Sequence, residues 1–401
     1  MGSLDLATAK QRACAEIDRR AQRLLEISHE IHAHPELNYA EVYAHDLLTA
    51  ELDAAGLSPR RSAFGLDTAF RADAGVSGPR IGVFMEYDAL PEIGHACGHN
   101  VIAAAGLGAG LALASLAEVC GGRVALIGSP AEEGGGGKIA MARQGAFDDL
   151  DAAMMIHPAD GDLVRMDTIA VQQMTVSFSG RAAHAAAAPE QGRNALDAAV
   201  LAYMNVAALR QHIDRSERLH GIFTRAGDKP NVVPHETEML WYARSATVES
   251  LQPLKQRLAS CMEAGAVATG CSCRCEWEGH TYSDMRDNQA IVAAYVRNAA
   301  SLGRTVVDPS STGRRVVGST DMGNVSYLVP SIHPMIGVAP EGVAIHTAEF
   351  ARWAASASGD AAVLDGAKAL AMTAIDLWLD PAVLPAAREA FGPTPDRSVL
   401  A

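Results

Sequence analysis

Apolar positions recur three and four residues apart from about Ala7 to Ala33, with Ile17, Leu24, Leu25 and Ile31 among them, and predict a first helix. His34-Pro35-Glu36 ends it, and a second helix is expected over Glu41 to Ala55, stopped by Gly56. Short apolar runs at Thr68 to Asp73 and Arg80 to Met85 read as strands. Val101 to Ala117 is apolar sequence rich in Gly and Ala, broken only by Ser115. It falls short of a comfortable membrane span and follows a polar loop directly, so a buried core helix is expected. Arg123 to Ile127 and Ala152 to Ile156 are further strands, the first ending at Ser129-Pro130-Ala131-Glu132-Glu133 and the second at His157-Pro158. Strand, loop and helix in alternation predict an α/β layer.

From about Ile169 the pattern changes. Val171 to Ser179 alternates like a half-exposed strand; a helix over Asn194 to Ile213 and strands at Leu219 to Arg225 and Glu238 to Arg244 follow. Leu251 to Val267 reads as a helix and Cys271 to Glu278 as a last strand. The order β-α-β-β-α-β is that of a ferredoxin-like unit. After Tyr282 the first texture resumes, with a helix over Asn288 to Leu302, a strand at Ile332 to Val338 and a closing helix over Ala361 to Leu379. Two domains are the natural division of 401 residues. The pattern predicts one catalytic domain in two pieces, 1–168 and 283–401, interrupted by an insert at 169–282.

Composition adds constraints. The chain is 49% apolar and 20% charged, as globular proteins are, and its net charge is −14. That charge argues against nucleic acid or an anionic membrane as partner and suits a site that holds cations. Seven cysteines, an odd and sparse set, point to a reducing compartment. Met1 to Ala21 carries acids and bases throughout, unlike a signal peptide, so a cytoplasmic location is expected.

The chemistry concentrates in Glu86-Tyr87-Asp88-Ala89-Leu90-Pro91-Glu92-Ile93-Gly94-His95-Ala96-Cys97-Gly98-His99-Asn100. Cys97 and His99 alternate by two, which on extended backbone sends both side chains to one face. A thiolate beside an imidazole suits zinc or another late divalent ion. Glu132, Glu133 and His157 also follow expected strands, and polar groups at strand ends of an α/β layer gather at one edge. His346 lies in a turn before the closing helix. In the acid pair, one carboxylate can hold an ion while its neighbour faces water, takes a proton and passes it on. Pro130 and the glycines Gly134 to Gly137 favour close backbone approach to a ligand there.

His95 is expected to support the loop rather than ligate. His29, His32, His34, His45, His212, His220, His235, His280 and His333 read as ordinary structural histidines, and Cys271, Cys273 and Cys275, with no fourth ligand nearby, as structural thiols. Gly106-Leu107-Gly108-Ala109-Gly110 lacks the dinucleotide spacing, Gly137-Lys138 is followed by Ile139 rather than a phosphate-loop hydroxyl, and no Gly-x-Ser-x-Gly elbow occurs.

These residues resemble the dinuclear metallopeptidases that include aminoacylases, glutamate carboxypeptidase and p-aminobenzoyl-glutamate hydrolase. The stretch Glu86 to Asn100 is most similar to the branch with p-aminobenzoyl-glutamate hydrolase and the β-alanyl-lysine dipeptidase. Further matches are Pro130-Ala131-Glu132-Glu133-Gly134, Gly180-Arg181-Ala182-Ala183-His184-Ala185, Asn194-Ala195-Leu196-Asp197, Pro230-Asn231-Val232-Val233-Pro234, Gly318-Ser319-Thr320-Asp321 and Ile345-His346-Thr347. The resemblance implies a zinc-peptidase-like α/β catalytic domain with a ferredoxin-like lid that also makes a homodimer. It implies two divalent ions per subunit, zinc or manganese, held by Cys97 as the bridging ligand with His99, Glu133, His157 and His346. It makes Glu132 the general base and acid, with Asp88 supporting the catalytic set from behind the ligands. His184 would polarise the scissile carbonyl or bind substrate, and Asn231, Arg244 and Ser319 would bind its polar parts.

Two positions depart from many relatives: Asn100 where Asp is frequent, and Glu86 where a histidine or aspartate stands; Glu86 is expected behind the ligands. The activity implied is hydrolysis of the amide bond of small N-acyl or N-aminoacyl amino acids. The alternatives are the same water chemistry on a carbamoyl compound or aromatic amine, and a binding protein that keeps the fold without catalysis.

Overall fold

A computed structural model describes residues 4–312, 317–393 and 397. It divides the chain into two compact units, one built on Thr168–Asp284 and the other from the chain up to Asp167 and from Met285 onward. The borders expected at 168/169 and 282/283 lie beside these.

The first unit opens with the helix Leu6–Ala33, where the Asp5 carboxylate accepts from the Thr8 N–H and supplies the missing helical partner. Ile17, Leu24 and Ile31 form its buried stripe. Val42–Ala54 is the second helix. A six-stranded sheet follows in the order Arg60–Arg61, Phe70–Ala74, Arg123–Ser129, Arg80–Glu86, Ala152–Met154, Ser331–Ile332. Arg80–Glu86 runs parallel to both its neighbours, and Phe70–Ala74 is antiparallel to Arg123–Ser129. Ser331–Ile332 is parallel to Ala152–Met154, so the four parallel strands end at one edge of the sheet.

His99–Cys120 is the core helix expected from the long apolar run. It is long and apolar enough to cross a membrane, yet it is almost wholly buried, packed against Leu6–Ala33 and Ala357–Leu379. Gly98 turns the loop into this helix at φ 77°, a conformation that favours glycine, and a Cβ there would meet the Pro158 ring at 2.8 Å.

The strand expected over Ile332 to Val338 is broken. Ser331–Ile332 pairs with Ala152–Met154, while Met335–Gly337 pairs in parallel with His157–Ala159 as a separate two-stranded sheet. His333-Pro334 sits at the break, where proline offers no N–H to a ladder. Short helices at Gly137–Arg143, Ala348–Ala354 and Val383–Phe391 were not foreseen.

The second unit is a four-stranded antiparallel sheet in the order Ser272–Tyr282, Ala170–Ser179, Glu236–Ser245, Arg218–Arg225. Helices Ala195–Leu209 and Val248–Thr269 pack against each other and on the sheet. Met174, Val176, Phe178, Met239 and Trp241 form its buried core. Both the element order and the strand order are ferredoxin-like. Cys273 and Cys275 are half-buried free thiols with their sulfurs 3.7 Å apart.

Candidate metal centre

The parallel strands deliver most of the chemistry to one place. Glu86 ends one strand, and Asp88 stands two residues on. Cys97 precedes the Gly98 turn, and His99 is the first residue of the core helix. Glu132 and Glu133 follow Arg123–Ser129, His157 begins His157–Ala159, and His346 precedes the helix Ala348–Ala354.

Ligand atoms of Cys97, His99 and His157 lie within 4.8 Å of one another, as do those of Cys97, Glu133 and His346, and those of His99, Glu132 and Glu133. Cys97 Sγ is 3.4 Å from His157 Nε2, His99 Nε2 is 3.8 Å from Glu133 Oε1, and His346 Nε2 is 3.3 Å from Glu133 Oε2. All five residues expected to ligate are thus gathered, in two triads that share one sulfur. The backbone route differs from expectation: Cys97 and His99 converge through the Gly98 turn and a helix start, not along an extended strand.

His99 Nε2 and Glu133 Oε1 are buried and lack any hydrogen-bond partner. Orphaned polar atoms at such depth are costly unless a ligand satisfies them. Sulfur, imidazole and carboxylate donors, arranged as two triads around a shared thiol, fit a pair of divalent ions.

A supporting layer aims these donors. Asp88 Oδ1 takes the His99 Nδ1 hydrogen bond at 3.0 Å, and Oδ2 accepts from the Glu133 N–H at 3.0 Å. That pairing turns the Nε2 lone pair of His99 into the cluster. Asp88 is thus placed to support His99 and Glu133. His157 Nδ1 donates to the Pro158 carbonyl at 2.8 Å, which likewise frees Nε2. Glu41 is buried and accepts from the N–H groups of Tyr39 and Ala131 and from Thr68 Oγ1, pinning the loop that carries the acid pair. Ala131 and His346, with φ of 58° and 63°, hold the left-handed conformation that residues with a side chain rarely take. Strain of this kind persists where surrounding contacts over-determine it, and both positions flank the cluster. His346 N donates to the Ala96 carbonyl.

Electrostatics separate the two adjacent acids. Burial pushes the Glu132 carboxyl well up, and the charges of Glu86, Glu133 and Asp321 add to the shift. Burial opposes ionisation of Glu133 too, but the His346 hydrogen bond and the charge of His99 outweigh it and hold Glu133 below the usual range. One acid is thus kept as a carboxylate and the other drawn towards its protonated form, a division suited to ligand and proton carrier. Burial, then the charge of His99, lowers His157 to about 4, so it presents a neutral imidazole. Burial, then the charge of Glu133, raises the Cys97 thiol well above its usual value, and the hydrogen bond and charge of His99 offset only part of the shift; a bound cation would favour the thiolate.

Of three further buried residues, His333 reads in the sequence as ordinary, Lys138 carries no expectation there, and His95 is expected to support the loop. His333 is buried with its ring 5.4 Å from that of His157, edge to face. Lys138, seen only as the wrong end of a phosphate loop, is fully buried and joins Glu86 and Asp321. Its neighbour Gly137 is obligatory, since a Cβ would lie 1.9 Å from the Pro130 carbonyl oxygen. His95 is buried outside the ligand triads; burial, then the charge of His99, lowers it to about 3.

The remaining expected residues are distributed differently. Ser319, half-buried, lies in the first unit just after Val317–Gly318. In the second unit His184 and Asn231 are exposed side chains on paired segments: His184 bridges Val232, and Ala185 N donates to the Asn231 carbonyl. Arg244 is not beside them. It sits towards the far end of the strand Glu236–Ser245, about 25 Å along from Glu236, the end nearer to them.

Residues 84–375 match peptidase family M20/M25/M40. The chain belongs to that family. An Xaa-Arg dipeptidase of Mus musculus is 41% identical over 96% of this chain and 93% of its own length. A p-aminobenzoyl-glutamate hydrolase chain from Escherichia coli (strain K12) is 29% identical over 92% of this chain and 91% of its own length. Among solved structures, a dinuclear metal-binding peptidase of family M20 from Bacillus subtilis superposes with a TM-score of 0.71 at 20% identity, over 90% of this chain and 99% of that one. Members of family M20 are dinuclear, metal-dependent hydrolases, and this chain is a metal-dependent hydrolase of amide bonds.

Proposed function

We propose that this M20 chain is a two-metal dipeptidase and amidohydrolase in which Cys97, His99, His157, Glu133 and His346 would hold the ions, Cys97 being the donor common to both triads. The observation that carries this reading is the pair of triads sharing Cys97, with unpartnered buried donors beside Glu132. When bound, the ions polarise the scissile carbonyl and acidify the attacking water. Zinc and manganese both suit the mixed donor set. Glu132 accepts the proton of that water and hands it to the departing amine nitrogen, a task for which a raised carboxyl pKa is matched. Asp88 holds the His99 tautomer throughout. His184, Asn231, Arg244 and Ser319 are assigned to substrate recognition on their motifs.

The substrates are small amides with a free carboxylate. The likeness to an Xaa-Arg dipeptidase supports dipeptides with a C-terminal basic residue as the first class to test. A panel of Xaa-Arg, Xaa-Lys and N-acyl dipeptides, p-aminobenzoyl-glutamate and carbamoyl amino acids, assayed for product with zinc or manganese, separates the classes. Hydrolysis confined to the carbamoyl compounds rejects the peptidase assignment.

A homodimer through the inserted unit belongs to the same reading. Arg244 lies about 25 Å along its strand from the end nearer His184, a long reach for one dipeptide within one copy. Two copies related by symmetry can bring them to the same substrate. Ile222 and Phe223 on the edge strand Arg218–Arg225, with Leu201 and Met204 on the helix Ala195–Leu209, are exposed apolar groups suited to such an interface. Mixing inactive Glu132→Gln and His184→Ala chains under subunit exchange should restore activity. A mixture as inactive as its parts places His184 in its own subunit or outside the site. The seven free thiols accord with a reducing, cytoplasmic setting.

A further inference from the structure

Beside the two triads lies a third group with the geometry of a cation site. Carboxylate oxygens of Glu86, Glu132 and Asp321 lie within 4.8 Å of one another, and all three residues are buried. Oxygen-only sets of this kind suit hard cations such as Mg²⁺ and Mn²⁺. Here a cation is already built into the chain. Lys138 is 0% exposed; its ammonium joins Glu86 Oε1 and lies 2.7 Å from Asp321 Oδ1, while its backbone N–H donates to Asp321 Oδ2 at 2.8 Å. Three buried carboxylates at this spacing repel one another, and a single buried ammonium is costly by itself. Together they form a compact cluster, and burial of the ammonium is outweighed by Asp321, Glu86 and Glu132.

One member of this cluster is the acid that carries the proton. A hard cation captured by the three carboxylates would take Glu132 as a ligand and remove it from proton transfer. A lysine ammonium offers hydrogen bonds without coordination, and it cannot exchange with solvent ions. We propose that Lys138 is a positioning residue that fills the Glu86–Glu132–Asp321 group with a tethered cation, excluding a third metal ion that would take Glu132 as a ligand. This rests on the proton-carrier reading of Glu132.

The test replaces Lys138 by Met and by Arg in the full-length protein and measures Mn²⁺ per chain by equilibrium dialysis with elemental analysis, alongside kcat and KM. For Lys138→Met the expected results are a third Mn²⁺ per chain and a kcat at least tenfold lower, with KM within about threefold. Lys138→Arg should bind two and recover part of the lost kcat. A Lys138→Met enzyme with two ions and unchanged kcat overturns the proposal. Should the uncompensated acids unfold Lys138→Met, the double variant Lys138→Met/Glu86→Gln removes one of the repelling charges. Loss of fold in that double variant and in Lys138→Arg alike leaves Lys138 only a structural counter-ion and also overturns it. The ion count needs no substrate, so it reports on Lys138 even if an active Glu132→Gln enzyme refutes the proton-carrier role.

Discussion

The two units present their functional side chains in opposite ways. In the first, Glu86, Lys138, His99 and Asp321 are completely buried and Asp88 nearly so, and almost every donor is aimed by a second polar group behind it. In the second, His184 and Asn231 stand exposed, and the His184 ring is met only by the N–H groups of Ala186 and Ala187 at 3.2 Å among its described contacts. Burial lets charges act at close range and strongly, which on the proposed reading is what ion holding and proton transfer in the first unit would draw on. Exposed groups lack that leverage until a substrate or a second chain covers them. The difference teaches that catalysis and recognition rest on different physical supports here, and substitutions should separate them.

The largest effect is expected from Cys97→Ala, which removes the donor common to both triads. Both ions should be lost and activity should fall by on the order of 10⁴ or more; elemental analysis showing two retained ions breaks the assignment. Glu132→Gln should lower kcat by roughly 10²–10⁴ with metal content intact, and normal turnover would end its role as proton carrier. Asp88→Asn should weaken metal binding by about 10–100-fold, read by competition with a chelator, because the His99 tautomer is no longer held.

On the other side of the comparison, Arg244→Ala should reduce kcat/KM by about ten- to a hundredfold, the worth of a charged hydrogen bond, and leave the ion count unchanged. A loss of ions in that variant would erase the distinction between the units. The smallest effect concerns burial alone. Asp287 is raised to about 7 chiefly by burial. Its folded pKa exceeds the unfolded one, so stability present below about pH 4 is lost as pH climbs through 7. Asp287→Asn should therefore gain on the wild type between pH 5 and pH 8, by at most about 4 kcal/mol in thermal or urea unfolding. A pH-independent difference would show that burial does not raise acids in this unit.

Much of this centre was legible in the sequence because ligand types are rare and clustered. Cys97, His99, Glu132, Glu133 and His157 all follow or begin strands, and His346 sits in a recognisable turn. The ferredoxin-like insert was legible from strand alternation and helix spacing. Lys138 was not, because lysine is nearly always solvated and local pattern carries no sign of three acids arriving from elsewhere in the chain. His333 was lost for a related reason: one apolar stretch, Ile332 to Val338, hid a break at His333-Pro334 that only pairing with two different sheets reveals. The distance between His184 and Arg244 depends on strand registry, which spacing along the chain does not encode.

On the proposed reading the sulfur of Cys97 would serve two coordination sets at once, and ion uptake would be a linked process. The Cys97 thiol would give up its proton on the first binding event and stand as a negative donor already oriented for the second. Occupancy would then climb as a concerted step rather than as two unrelated equilibria, and half-loaded protein should be scarce at every stage of a titration.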